Sequence, residues 1–216
     1  MQLNDIIDII SALVKVRKLF WSEDDFKFAF ATQLQFKFGN KADVRLEKRY
    51  DRDGKSSYTD IVVKIENKTF PIELKYKTAK GKYADHDGEI IELRNHAAVD
   101  LGCYAYLKDI ERLEYLSKND PTFGRGFAII LTNDAKYYAD TKRESMYDAF
   151  KICEGREIGG CLNWNCAHYG EGYVPSWMES HPDFSLSDTY TMHWSDYSES
   201  GTEPVFRYQV AVIERH

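Results

Sequence analysis

Asp60, Glu73 and Lys75 are the residues whose types and spacing could do chemistry. Residues 59–65 and 69–77 alternate as strands, with Glu66-Asn67-Lys68 between them as a turn. Positions 60 and 73 are symmetric about the boundary between Glu66 and Asn67, so a tight hairpin sets Asp60 across from Glu73. A slip of one residue would set it across from Lys75 instead. Alternation puts Glu73 and Lys75 on one face of their strand and Phe70, Ile72, Leu74 and Tyr76 on the other. Neighbouring carboxylates repel and stay ionised only when a cation joins them. Lys75 could be that cation. A hard divalent ion suits the position better, because Mg²⁺ favours oxygen ligands and keeps several waters. Such an ion polarises a phosphoryl oxygen and lowers the pKa of a water, and an ammonium beside it orients that water or stabilises the developing charge. The set therefore suits hydrolysis of a phosphodiester. The same side chains would also serve as ordinary cross-strand ion pairs on a surface hairpin.

The surrounding elements must hold this hairpin. Residues 1–20 read as an amphipathic packing helix with Ile6, Ile9, Ile10, Leu13 and Val14 on one side; its acidic residues precede its basic ones, unlike a secretion signal. Ser22 is a good N-cap for a second helix running to about Phe38, with Asp25 placed to return a hydrogen bond as in a capping box. A strand over residues 42–50 precedes the hairpin, and residues 78–88 read as a loop. A helix is predicted over residues 95–116, then a buried apolar strand over 126–132. Residues 145–153 suggest a short helix and 205–213 a closing strand, and 155–201 give no clear pattern. The expected fold class is α/β, with a mixed sheet flanked by helices.

Asp60, a twelve-residue spacer and then Glu73-Leu74-Lys75, on strand-turn-strand, resembles the PD-(D/E)xK, or restriction-endonuclease-like, nuclease superfamily. Thr59 stands where that motif often has proline. The element order of residues 22–134 is similar to the superfamily's α-β-β-β-α-β core, leaving 135–216 as a C-terminal extension of a single domain. The resemblance implies a Mg²⁺- or Mn²⁺-dependent nuclease, with DNA the expected substrate, in restriction, repair or phage defence. It implies metal ligation by Asp60, Glu73, the Leu74 carbonyl and Glu23 near the start of the second helix, and water activation by Lys75. Asp100-x-x-x-Tyr104 is similar to a Q-x-x-x-Y element of some of these nucleases, with Asp for Gln. His96, Asp100 and Tyr104 would share one helix face bordering the site. The alternative is a non-catalytic nucleic-acid- or protein-binding member of the same fold. A homodimer would suit sequence-specific cleavage of a duplex.

Charge distribution supports a polyanion partner more than the net value of -6 does. Residues 41–82 hold twelve Lys and Arg against seven Asp and Glu, a local charge near +5 in a chain whose remainder is near -11. Arg49, Arg52, Lys77, Lys80 and Lys82 are the candidate phosphate contacts. Trp164, Tyr169, Tyr173, Trp177, Tyr190, Trp194 and Tyr197 could stack on bases but more often build a satellite core. Cys161, Cys166 and His168 suggest zinc without a C-x-x-C knuckle, so free thiols are the expectation. No apolar run reaches the roughly 20 residues of a membrane span, and the expected location is the cytoplasm.

Overall fold

Two helices open the chain. α1 (Leu3–Val14) buries Ile6, Ile9, Ile10 and Leu13, the apolar stripe its spacing predicts. α2 (Glu23–Phe38) begins at Ser22, whose hydroxyl accepts a hydrogen bond from Asp25 N at 3.1 Å. The Asp25 carboxylate accepts from Trp21 N at 3.0 Å, one residue before the amide a capping box would use. This computed structural model describes residues 1–140, 143–170, 175–198 and 204–216.

Three antiparallel strands follow: β1 (Ala42–Arg52), β2 (Lys55–Ile65) and β3 (Lys68–Lys77). Asp53 and Gly54 both take positive φ, 51° and 76°, which a two-residue hairpin loop requires and glycine accepts without strain. The β2–β3 register runs from Ile65↔Lys68 to Ile61↔Ile72, so this hairpin turns on Glu66-Asn67 as the sequence suggests.

Residues 78–88 depart from expectation. β4 (Gly81–Ala84) lies within them and pairs with β5 (Ile90–Leu93) just beyond, a small hairpin anchored by the buried side chains of Ile91 and Leu93. Four-residue strands with polar connections are too short to register as alternation. α3 (Val99–Asn119) starts later than the predicted helix, and β6 (Gly126–Thr132) is buried along its whole length. Residues 145–153 hold one 3₁₀ turn, Asp148–Phe150, in place of a helix. β7 (Glu157–Leu162) and β8 (Phe184–Thr191) pair with each other, and β9 (Trp194–Asp196) and β10 (Arg207–Ile213) close the chain.

The central sheet has the order β1-β2-β3-β6-β10-β9. Only β3 and β6 are parallel; the fold is mixed α/β with a mostly antiparallel central sheet flanked by helices. One face packs Ile61, Ile72, Leu74, Tyr76 and Ile129 against Ile9, Phe26 and Phe30 of α1 and α2. The other packs Ala128, Ile130 and Ala211 against Tyr106, Ile110 and Leu113 of α3.

The same second core absorbs Trp164, Tyr190 and Trp194, while Tyr197 joins the first. Trp177 rests edge-on against Trp164, with ring centroids 4.8 Å apart. Packing, not base stacking, occupies these rings. Tyr173 and the Tyr169 side chain lie outside the described residues. Cys161 and His168 are exposed, and Cys166 Sγ lies 3.3 Å from Met178 Sδ. No helix among the described residues is long and apolar enough to cross a membrane.

Candidate active site

The site is built where β2 and β3 part. Their ladder ends at Ile61↔Ile72; beyond it β2 continues with β1 alone, from Lys48↔Thr59 to Arg52↔Lys55. The amides of β3 that face the gap need other acceptors, because a buried N–H without one is costly. Carboxylates take both. Leu74 N donates to Asp60 Oδ2 at 2.8 Å, and Tyr76 N donates to Glu23 Oε2 at 2.9 Å. The fork thus draws Asp60 of β2 and Glu23, the first residue of α2, to one stretch of β3.

Lys27, one turn further along α2, reaches Asp60 Oδ1 at 2.9 Å and also bonds Glu47 of β1. Glu47 is a non-glycine residue at φ 49°, set between the pairs Leu46↔Ile61 and Lys48↔Thr59. Backbone of this kind is uncommon and concentrates at functional positions. Burial pushes the Asp60 carboxyl up, but the Leu74 amide, Lys27 and Lys75 outweigh it and hold the pKa below its ordinary value.

The face of β3 that carries Glu73 and Lys75, opposite to that of Ile72 and Leu74, is polar and covered. Glu73 is only 1% exposed, because α3 lies over it. α3 meets that face with Asp109, also 1% exposed, and Arg112. Asp109 Oδ2 lies 2.9 Å from Lys75 Nζ, and Arg112 bridges Asp109 and Glu73, its Nη2 3.1 Å from Glu73 Oε2. Lys75 Nζ also lies 4.0 Å from Glu23 and 3.4 Å from the Leu74 carbonyl. Burial opposes the Lys75 charge, yet Asp109 and Glu23 more than offset it and raise its pKa, so the ammonium stays charged. Burial, reinforced by Asp109, raises the Glu73 pKa well above the usual carboxylate range despite Arg112. Glu73 Oε1 is buried with no hydrogen-bond partner among the described residues.

Asp60, Glu73, Lys75, Leu74 and Glu23 therefore lie around one fork, and of the other expected residues Lys77 approaches it through Glu23 whereas most do not join them. Arg52 is bound bidentately by Glu111 of α3 and lies 4.9 Å over the Tyr115 ring, so it pins the β1–β2 ribbon. Lys82 pairs with Glu92 across the β4–β5 hairpin at 3.1 Å. Arg49 is exposed on β1. Lys77 lies 3.7 Å from Glu23, and Lys80 is exposed just beyond β3. His96 precedes α3 and so cannot share its face; its Nδ1 accepts from Thr78 N at 3.0 Å. Tyr104 turns into the second core, donating to the Pro182 carbonyl at 2.8 Å and stacking on Trp164. Asp100 sits in the first turn of α3.

Lys27, Asp109 and Arg112 escape the sequence reading. A signal existed for the last two: Asp109 interrupts the apolar stripe of α3 between Tyr106 and Leu113, with a cation three residues on. Comparison with family models, curated proteins and solved structures returns no match.

The charge on Asp60 has a measurable consequence. Asp60→Asn keeps an acceptor for Leu74 N but loses the carboxylate beside Lys27, and should cost about 1.5–3 kcal/mol at neutral pH. Because the folded pKa is lowered, that contribution is fully present above the ordinary value of 3.8. It fades as pH falls through the folded value. The gap in melting temperature between wild type and variant should accordingly narrow in acid; a gap that stays constant well below that value would contradict the assignment.

Proposed function

We propose that the chain is a metal-dependent phosphodiester hydrolase with a restriction-endonuclease-like core, acting on DNA. The observation that carries this reading is the convergence of Asp60, Glu73, Lys75 and Glu23 on the fork of β2 and β3. The order α2, β1, β2, β3, α3, β6 is similar to that core, with the β4–β5 hairpin inserted between β3 and α3.

Among the described residues no group of three or more His, Cys, Asp and Glu is arranged to hold a metal. Mg²⁺ does not demand one, since it commonly takes one or two carboxylates and keeps its waters. Glu73 Oε1 is buried and lacks a partner, the kind of oxygen a hard cation would satisfy. Asp60, Glu73 and the Leu74 carbonyl would hold the ion, with Glu23 beside them. The ion would polarise the phosphoryl oxygen and lower the pKa of the attacking water. Lys75 keeps its proton, so it orients that water as a donor and stabilises developing negative charge; it does not act as a general base. Asp109 and Arg112 of α3 act on Lys75 and Glu73 as positioning residues.

One observation favours a non-catalytic binding protein. Lys27 already pairs with Asp60, and Lys75 and Arg112 with Asp109 and Glu73, so each of these carboxyls has a cationic partner within the protein. Thermal unfolding with Mn²⁺ decides between the two. At a hundredfold excess over Kd, a bound ion should stabilise the wild type by about 2.7 kcal/mol and leave Asp60→Ala unaffected. Mg²⁺-dependent cleavage of linear DNA, abolished by EDTA, should accompany it. Neither effect would appear in a binding protein.

A further inference from the structure

A cleft of about 930 Å³ runs outward from Glu23, walled by the start of α2, the end of β3 and the β4–β5 hairpin. Trp21 stands at its rim, 53% exposed, while Trp164 and Trp194 are buried and Trp177 is half-buried. The fold does not use this indole in the usual way. The residue before an N-cap ordinarily packs on the fourth helical residue, here Phe26. Phe20 takes that place instead, its ring centroid 5.0 Å from that of Phe26, and Trp21 faces outward.

Hydrogen bonds tie the cationic wall together. Thr78 Oγ1 donates to the Arg94 carbonyl at 2.6 Å, His96 N donates to the Thr78 carbonyl at 2.8 Å, and Ala79 N donates to Asn133 Oδ1 at 2.8 Å. These bonds fix the backbone that carries Lys77, Lys80 and Arg94. Lys80 and Arg94 are exposed and form no ion pair among the described residues. The acid on this wall, Glu92, pairs with Lys82. Of the fork residues Glu23 lines this cleft, and Lys77 and Lys75 both approach it.

An indole, unpaired cations and a walled passage to the fork form the pattern of a single-strand site, in which bases stack on aromatics and phosphates lie along cations. A duplex shows a protein its base edges and not its faces, so a stacking indole serves an unpaired base. We propose that this cleft binds a single-stranded segment of nucleic acid, with a base stacked on Trp21 and phosphates against Lys77, Lys80 and Arg94. The inference deepens the nuclease reading, on which it rests for the direction in which the strand runs, by making the substrate a strand end or flap led to the fork.

The test is fluorescence anisotropy of a labelled oligothymidylate of about eight nucleotides, within the usual site size, in EDTA. A blunt duplex of equal length is the comparison. Trp21→Ala should weaken single-strand binding about 5- to 150-fold, with duplex binding and the melting temperature unchanged. Trp21→Phe should restore most of the loss, because a ring remains. Replacing Lys80 and Arg94 with alanine should flatten the salt slope by about 1.4, at about 0.7 per phosphate contact on a single strand. No single-strand binding by the wild type, no effect of Trp21→Ala, or an equal loss on the duplex would overturn the proposal. The two readings fail separately. Hydrolysis that needs Lys75 but ignores Trp21 removes the cleft assignment alone. Trp21-dependent binding without hydrolysis removes the nuclease alone.

Discussion

Lys75→Met should lower phosphodiester hydrolysis by about two to three orders of magnitude while Mn²⁺ still stabilises the protein. An oriented electrostatic group contributes about 2.7–4 kcal/mol to a transition state of this kind, and little of that is replaceable by solvent. Lys75 satisfies the conditions for such a contribution. Its side chain is 14% exposed, its ammonium is held 2.9 Å from Asp109, and its raised pKa keeps it charged throughout the working range. Methionine retains the length of the stem and removes the charge together with its N–H donors. Single-turnover cleavage gives the rate and thermal unfolding with Mn²⁺ gives the binding. A variant that cleaves at the wild-type rate would end the role assigned to Lys75. One that also loses metal stabilisation would make Lys75 a structural support of the carboxylates.

The second large effect is on stability. Asp109→Ala should destabilise the fold by about 3–5 kcal/mol, because it leaves Lys75 and Arg112 without their shared buried counter-charge. In a chain of this size that corresponds to a fall of about 6–20 °C in melting temperature. Removing both members of the pair tests the cause. Arg112→Leu alone takes the guanidinium from Glu73 and leaves Asp109 with Lys75 as its remaining cation. Asp109→Leu combined with Arg112→Leu removes one charge of each sign and should cost clearly less than the two single changes added together. Additive losses in denaturant titrations would mean that the pair does not act as a unit. A small loss for Asp109→Ala would mean that water reaches the interface between α3 and β3.

Both predictions concern a face of β3 that the sequence describes only halfway. Alternation along residues 69–77 separates Ile72, Leu74 and Tyr76 from Glu73 and Lys75, and the structure keeps that division. Whether the polar face meets water or protein is not a local property. It depends on α3, some thirty residues further along, and on whether α3 brings charges to match. The result is Glu73 at 1% exposure, where an isolated hairpin would have left it solvated.

Other features sort the same way. The α2 start, the hairpin at Glu66-Asn67 and the strand β6 follow from capping, a two-residue turn and a continuous apolar run. Each is decided within a few residues, so the sequence alone determined them. The ladder pairing of Asp60 with Glu73 that alternation suggests is not formed, because β2 and β3 part after Ile61↔Ile72 and Asp60 is held by the Leu74 amide and Lys27 instead. Tertiary structure decided the rest. It separated His96 from α3 and tied it to Thr78, and it spent Tyr104 on the second core. It also engaged Arg52 with Glu111, brought Lys27 to Asp60, and slid β10 in beside β6. The physical reason is range. Turns, caps and alternation are settled by neighbours in the chain, whereas the partner of a long charged side chain is settled by which distant element packs over it. Local pattern marks a residue as charged and on a given face. Packing alone determines whether it binds a ligand, pins a helix or is neutralised where it stands.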